Sequence, residues 1–178
     1  MDPVLYPLNT LSGHTLIVRK DGLLSWNILW QENPVARVNF RSNQKQIIET
    51  SLGRYALRRK GIHVNGKLIL EDSETGTELA QGGLFDRDMQ LFIRVNSSDN
   101  TYNLRWLHHE GRWMIDVVDG HGSSIMRLTD TGTRMRWEAR ISLDFDKHQS
   151  TEVNLVLATL VSYLMRDRAE RAWSLSFG

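Results

Sequence analysis

The 178 residues predict one mostly β domain, a closed antiparallel barrel of about a dozen strands threaded by a single hydrophobic helix near the C-terminus. Short runs with period-two alternation fill residues 14–146, and turn residues break them about every 8–12 positions. After Ser150 the pattern switches to a segment that is apolar on every face of a helix. A helix of that kind must be surrounded, and a sheet long enough to wrap round it closes most simply as a barrel.

The strands are legible one by one. In residues 135–145 every odd position (Met135, Trp137, Ala139, Ile141, Leu143, Phe145) is apolar and every even one polar, the mark of a strand with one buried face. The same alternation recurs in Met89, Leu91, Ile93 and Val95, and in Leu24, Trp26, Ile28 and Trp30. Asn65-Gly66 supplies the positive φ angles of a two-residue hairpin. Glu110-Gly111 is a weaker turn of that type, and pairing outward from it sets Trp106 opposite Ile115, His108 opposite Trp113 and Arg105 opposite Asp116. Further turns are expected at Ser98-Asp99-Asn100, Asp119-Gly120-His121-Gly122 and Asp130-Thr131-Gly132.

The helix is expected over about residues 151–171. Val153, Leu155, Val156, Leu157, Ala158, Leu160, Val161, Tyr163, Leu164 and Met165 surround its axis. Ser150 or Thr151 can cap its start, and Arg166, Arg168 and Arg171 suit the negative end of its dipole, with the charged last turns projecting into water. Beyond it, the alternation of Trp173, Leu175 and Phe177 fits one further strand.

Residues 1–178 are expected to form a single domain, because the β region contains no Pro/Gly-rich linker and the chain has three prolines. Hydrophobic residues make up 40% and charged residues 24%, the balance of a chain that folds alone. A net charge of +1 supplies no global field for nucleic acid, so anion binding requires a local patch. The absence of cysteine removes disulfides, thiolate metal sites and cysteine nucleophiles. The start Met1-Asp2-Pro3-Val4-Leu5-Tyr6-Pro7 does not read as a signal peptide, so the expected location is the cytoplasm, with peripheral membrane association open. No transmembrane segment is expected, since the most apolar stretch, residues 153–165, is shorter than the span of about 20 residues that a bilayer requires.

This order of elements resembles the tubby C-terminal-like superfamily, which includes the LURP-one-related proteins and the phospholipid scramblases. In that family a twelve-stranded barrel encloses a hydrophobic helix, and Val153-Asn154-Leu155-Val156-Leu157-Ala158-Thr159-Leu160-Val161 is similar to the family's core helix. Gly53-Arg54-Tyr55-Ala56-Leu57-Arg58 and Leu70-Glu71-Asp72-Ser73-Glu74-Thr75-Gly76-Thr77 are similar to family strand text. The likeness covers roughly residues 14–171. The scramblase branch fits least, for want of a palmitoylation segment or membrane tail. What the resemblance implies is the barrel fold and lipid or protein binding, without a reaction.

The chemistry-bearing strings are few. Asp130-Thr131-Gly132-Thr133 matches the aspartic protease pattern, in which two aspartates share a proton, but it occurs once, and Glu74-Thr75-Gly76-Thr77 repeats its form in another turn. A small hydrolase acting through Asp130 is therefore the alternative to a binding module, and no catalytic residue is assigned. His108 and His109 are neighbours on a strand and point to opposite faces, and His121 beside Asp119 does not complete a ligand set, so neither a metal nor another cofactor is expected.

Arg54, Arg58, Arg59, Lys60 and Lys67 form the densest basic run, and Arg54, Arg58 and Lys60 share one strand face with Ala56. These five are the candidate residues for an anionic lipid head group such as a phosphoinositide, with a protein partner as the other occupant. The bland alternative is a solvated barrel exterior whose charges prevent edge pairing. Trp26, Trp30, Trp106, Trp113, Trp137 and Trp173 mostly occupy apolar alternation positions and are read as core, so nucleic-acid binding is not expected.

Overall fold

The computed structural model describes residues 5, 15–21, 25–42, 45–60, 67–83, 88–95, 98–132, 138–143 and 151–175. Twelve strands are present among them: β1 Thr15–Lys20, β2 Ser25–Trp30, β3 Asn33–Ser42, β4 Lys45–Thr50, β5 Arg54–Lys60, β6 Lys67–Asp72, β7 Glu78–Gly83, β8 Asp88–Val95, β9 Ser98–His109, β10 Arg112–Val118, β11 Ser124–Asp130 and β12 Glu138–Leu143. Each pairs antiparallel with the next, and β12 pairs with β1, which closes the barrel. The helix α1, Thr151–Leu175, follows. The predicted architecture is therefore the observed one.

Closure follows from side-chain parity. Leu16 lies opposite Ile141, Ile141 opposite Leu128, Leu128 opposite Ile115 and Ile115 opposite Trp106, so one row of apolar side chains crosses five strands on the inner face. In β12 Ala139 and Ile141 are buried while Arg140 and Ser142 are exposed, as the alternation predicts; Met135, Trp137 and Phe145 lie outside the described residues. A shift of one residue would turn this row outward, so burial of the row fixes the register.

The helix fills the lumen. From Val153 to Met165 every side chain is buried except the partly covered Asn154. The two hydroxyls in this stretch are satisfied within the helix, Thr159 donating to the Leu155 carbonyl at 2.8 Å and Ser162 to the Ala158 carbonyl at 2.6 Å. Thirteen helical residues rise about 20 Å, close to the length of a six-residue strand. The remaining residues, 166–175, carry the helix about 15 Å beyond that buried section.

Several local expectations are corrected. The helix continues through Leu175, so Trp173 and Leu175 are helical and form no thirteenth strand; Phe177 lies outside the described residues. A closed sheet has no edge to which such a strand could pair. Consequently Arg171 does not occupy the last turn, which contains no basic residue. Ser98, Asp99 and Asn100 belong to β9, because the ladder runs out to the Val95–Ser98 pair. Asn65-Gly66 lies outside the described residues, yet the flanking register is plain: Lys60 faces Lys67, whereas a two-residue hairpin at Asn65-Gly66 would set Val64 opposite Lys67. That register sets Leu57 opposite Leu70, both buried.

The Glu110-Gly111 expectation holds. Both residues have positive φ, 50° and 75°, and the pairs Trp106–Ile115, His108–Trp113 and Arg105–Asp116 are all present. The charge of Asp116 is nevertheless met from the other neighbour, for its carboxylate accepts from Ser124 Oγ at 2.7 Å and Arg127 Nε at 3.2 Å. At Asp119 the turn is also found, with the carboxylate accepting the backbone N–H of His121 and of Ser123, each at 2.9 Å.

Candidate functional site

Strand β5 carries four of the five candidate cations, and its pleat divides them. Arg54, Arg58 and Lys60 share the outer face with Ala56, whereas Tyr55, Leu57 and Arg59 have inward parity. Arg59 thus leaves the group. Its Nε donates to the Tyr163 hydroxyl at 2.8 Å, its terminal nitrogen pairs with Asp167, and its guanidinium lies 5.6 Å from the Tyr163 ring centroid. Partial burial works against its charge, but the Tyr163 hydroxyl and the Asp167 carboxylate outweigh that and hold its pKa above the usual guanidinium value.

On the outer face Arg54 meets its cross-strand neighbour Glu49 at 3.6 Å, and Arg58 is paired with Glu71 on β6. Lys60 and Lys67 differ. They are exposed and directly opposite one another, and among the described residues no carboxylate lies within ion-pair distance of either. Two like charges placed directly opposite destabilise a sheet by a few tenths of a kcal/mol to about 1 kcal/mol. The five cations are therefore one like-charged pair, two neutralised arginines and one arginine turned into the lumen.

Asp130 ends β11 and faces Ala139 across the ladder. Its Oδ1 accepts the Gly132 backbone N–H at 3.0 Å, which is the expected turn. Burial raises its pKa, and the Gly132 N–H and the Arg112 charge only partly offset this. Asp72, two residues before the near-copy string, has the opposite electrostatics: the Thr75 and Glu74 backbone N–H groups hold its carboxyl below its usual range. Among the described residues no group of three or more histidine or acidic side chains is placed to hold a metal. His108 and His109 do point apart: His108 lies 4.6 Å from the Trp113 ring and His109 is 3.5 Å from Glu110.

The tryptophans correct the reading in one respect. Trp26 is core, but Trp106 and Trp113 are only partly buried. They meet edge to face at 6.4 Å, and the Arg168 guanidinium lies 3.6 Å from the Trp113 centroid and 5.0 Å from that of Trp106. Arg166 lies 4.3 Å from the centroid of Trp26. These arginines do not simply project into water from a helix end; they stack on aromatic rings. The spacing of Tyr163 and Asp167, four apart on one helix face, was the sequence signal for the Arg59 contact.

No family model matches this chain, and neither a curated protein nor a solved structure matches it.

Proposed function

We propose that this chain is a non-catalytic β-barrel module of the tubby-like kind that binds an anionic lipid head group, a phosphoinositide being the leading candidate, from the cytoplasmic side of a membrane. The observation that carries the reading is the Lys60–Lys67 pair, two exposed ammonium groups held opposite one another without a carboxylate among the described residues. A phosphate seated between them converts a repulsive pair into two charge-assisted contacts. Arg58, two residues along the same face, stands ready to exchange Glu71 for a second phosphate.

Co-sedimentation with phosphatidylcholine vesicles containing phosphatidylinositol 4,5-bisphosphate, near 0.15 M salt where screening acts within ~8 Å, tests this reading. The parent should pellet and Lys60→Glu/Lys67→Glu should not. Equal pelleting of both, or of neither, overturns the lipid reading and makes a protein the partner.

The alternative, a hydrolase using Asp130, draws on the raised pKa of that carboxyl. Against it, the charged group acting on Asp130 is Arg112 and not a second carboxylate that could share a proton.

A further inference from the structure

The strands alternate in direction, so every odd-numbered strand ends, and every even-numbered strand begins, at one end of the barrel. Residues far apart in sequence thereby share a rim. Lys20 closes β1, Lys60 closes β5, Lys67 opens β6 and Arg112 opens β10, and all four are exposed. The helix leaves by the same end, because Tyr163 and Asp167 meet Arg59 near the end of β5, Arg166 lies over Trp26 near the start of β2, and Arg168 lies over Trp106 and Trp113.

Among the described residues, Asp130 ends β11 on this rim, where the Arg112 charge acts on it, exposed Glu110 lies 3.5 Å from His109, and further carboxylates are engaged. Asp21 accepts from Arg37 at 2.6 Å, Glu138 from Arg19 at 3.2 Å, and Asp167 pairs with Arg59. What the described residues of the rim present outward is an excess of cations around two partly buried indoles capped by the exposed Arg168. A ring with an apolar body beside a cationic tip is the chemistry that concentrates at lipid head-group depth.

We propose that this end of the barrel is the face laid on an anionic bilayer, with Lys20, Lys60, Lys67 and Arg112 reaching head-group phosphates and the Trp106–Arg168–Trp113 stack at head-group level. The proposal rests on the lipid reading above and adds an orientation to it. It also excludes Arg54, which opens β5 at the opposite end, about 20 Å from Lys60.

The experiment uses the intact chain and vesicles of phosphatidylcholine, phosphatidylserine and phosphatidylinositol 4,5-bisphosphate, with thermal melting to confirm that each variant is folded. Lys20→Gln/Arg112→Gln and Lys60→Gln/Lys67→Gln should each weaken binding roughly tenfold, while Arg54→Gln should bind like the parent. Brominated phosphatidylcholine should quench tryptophan emission in the parent and distinctly less in Trp106→Phe/Trp113→Phe. Loss confined to Lys60→Gln/Lys67→Gln leaves the head-group reading standing and overturns the orientation. Arg54→Gln weakening binding as much as the rim pairs, or quenching unchanged in the double phenylalanine variant, overturns the orientation as well. A parent that fails to bind overturns both proposals.

Discussion

Arg59 on β5 donates its Nε hydrogen to the hydroxyl of Tyr163, joining a barrel strand to a helix residue 104 positions further along the chain. With Asp167 on the same guanidinium, this is a charged tie between wall and lumen at the end where the helix leaves.

Arg59→Ala should therefore lower the free energy of unfolding by about 2 kcal/mol, since hydrogen bonds to charged groups contribute more than neutral ones and Asp167 loses this counter-charge. Arg58→Ala, which removes a more exposed pair with Glu71, should cost less than about 1 kcal/mol. Urea denaturation of both variants checks the contrast. Equal losses would show that the inward tie has no special weight.

Leu157 is fully buried in the section of the helix that fills the lumen. Leu157→Asp places a carboxylate in the apolar lumen at a cost of several kcal/mol, against a total stability of about 5–15 kcal/mol. The variant should lack a cooperative thermal transition by circular dichroism. A melt like the parent's would mean that the helix is not the core of the barrel.

The barrel was legible because its two periods are unusually clean. Period-two runs with Ala139 and Ile141 inward, followed by the all-round apolar residues of α1, leave a sheet and a helix with only each other to cover them. Registers were legible where a two-residue turn dictates them, as at Glu110-Gly111, and misread at Asn65-Gly66, where the Leu57–Leu70 pairing of the lumen prevails over the local turn signal. The candidate site was harder to read for the same reason. Glu49 and Glu71 neutralise Arg54 and Arg58 across strands, so their roles depend on register and not on neighbours in sequence. The inward parity of Arg59, by contrast, was readable from Tyr55 and Leu57.

Gly111 has φ near 75°, and a Cβ there would meet no other atom within 4 Å. Gly111→Ala should thus cost only the backbone strain of the left-handed region, roughly 1–2 kcal/mol. Gly120 has equally open space and no positive φ, so Gly120→Ala should be neutral or slightly stabilising. Denaturation midpoints of the two variants separate strain from packing, and equal midpoints would remove the turn geometry as the cause.

Asp130 supplies a prediction whose sign depends on pH. Burial raises its folded-state pKa above the unfolded value, so the native state binds this proton more tightly than the unfolded chain does. The resulting stability is fully present below the unfolded carboxyl range and is lost as pH rises through the folded pKa. At neutral pH the ionised group is a liability. Asp130→Asn keeps an oxygen for the Gly132 N–H and removes the charge, so it should melt at or above the parent's temperature at pH 7, with the difference shrinking toward about pH 4, near the usual carboxyl value. A melting advantage that is the same at both pH values would show that burial of the charge is not the cause. The same variant separates the functional readings: vesicle binding should survive it, whereas hydrolysis through Asp130 would be abolished.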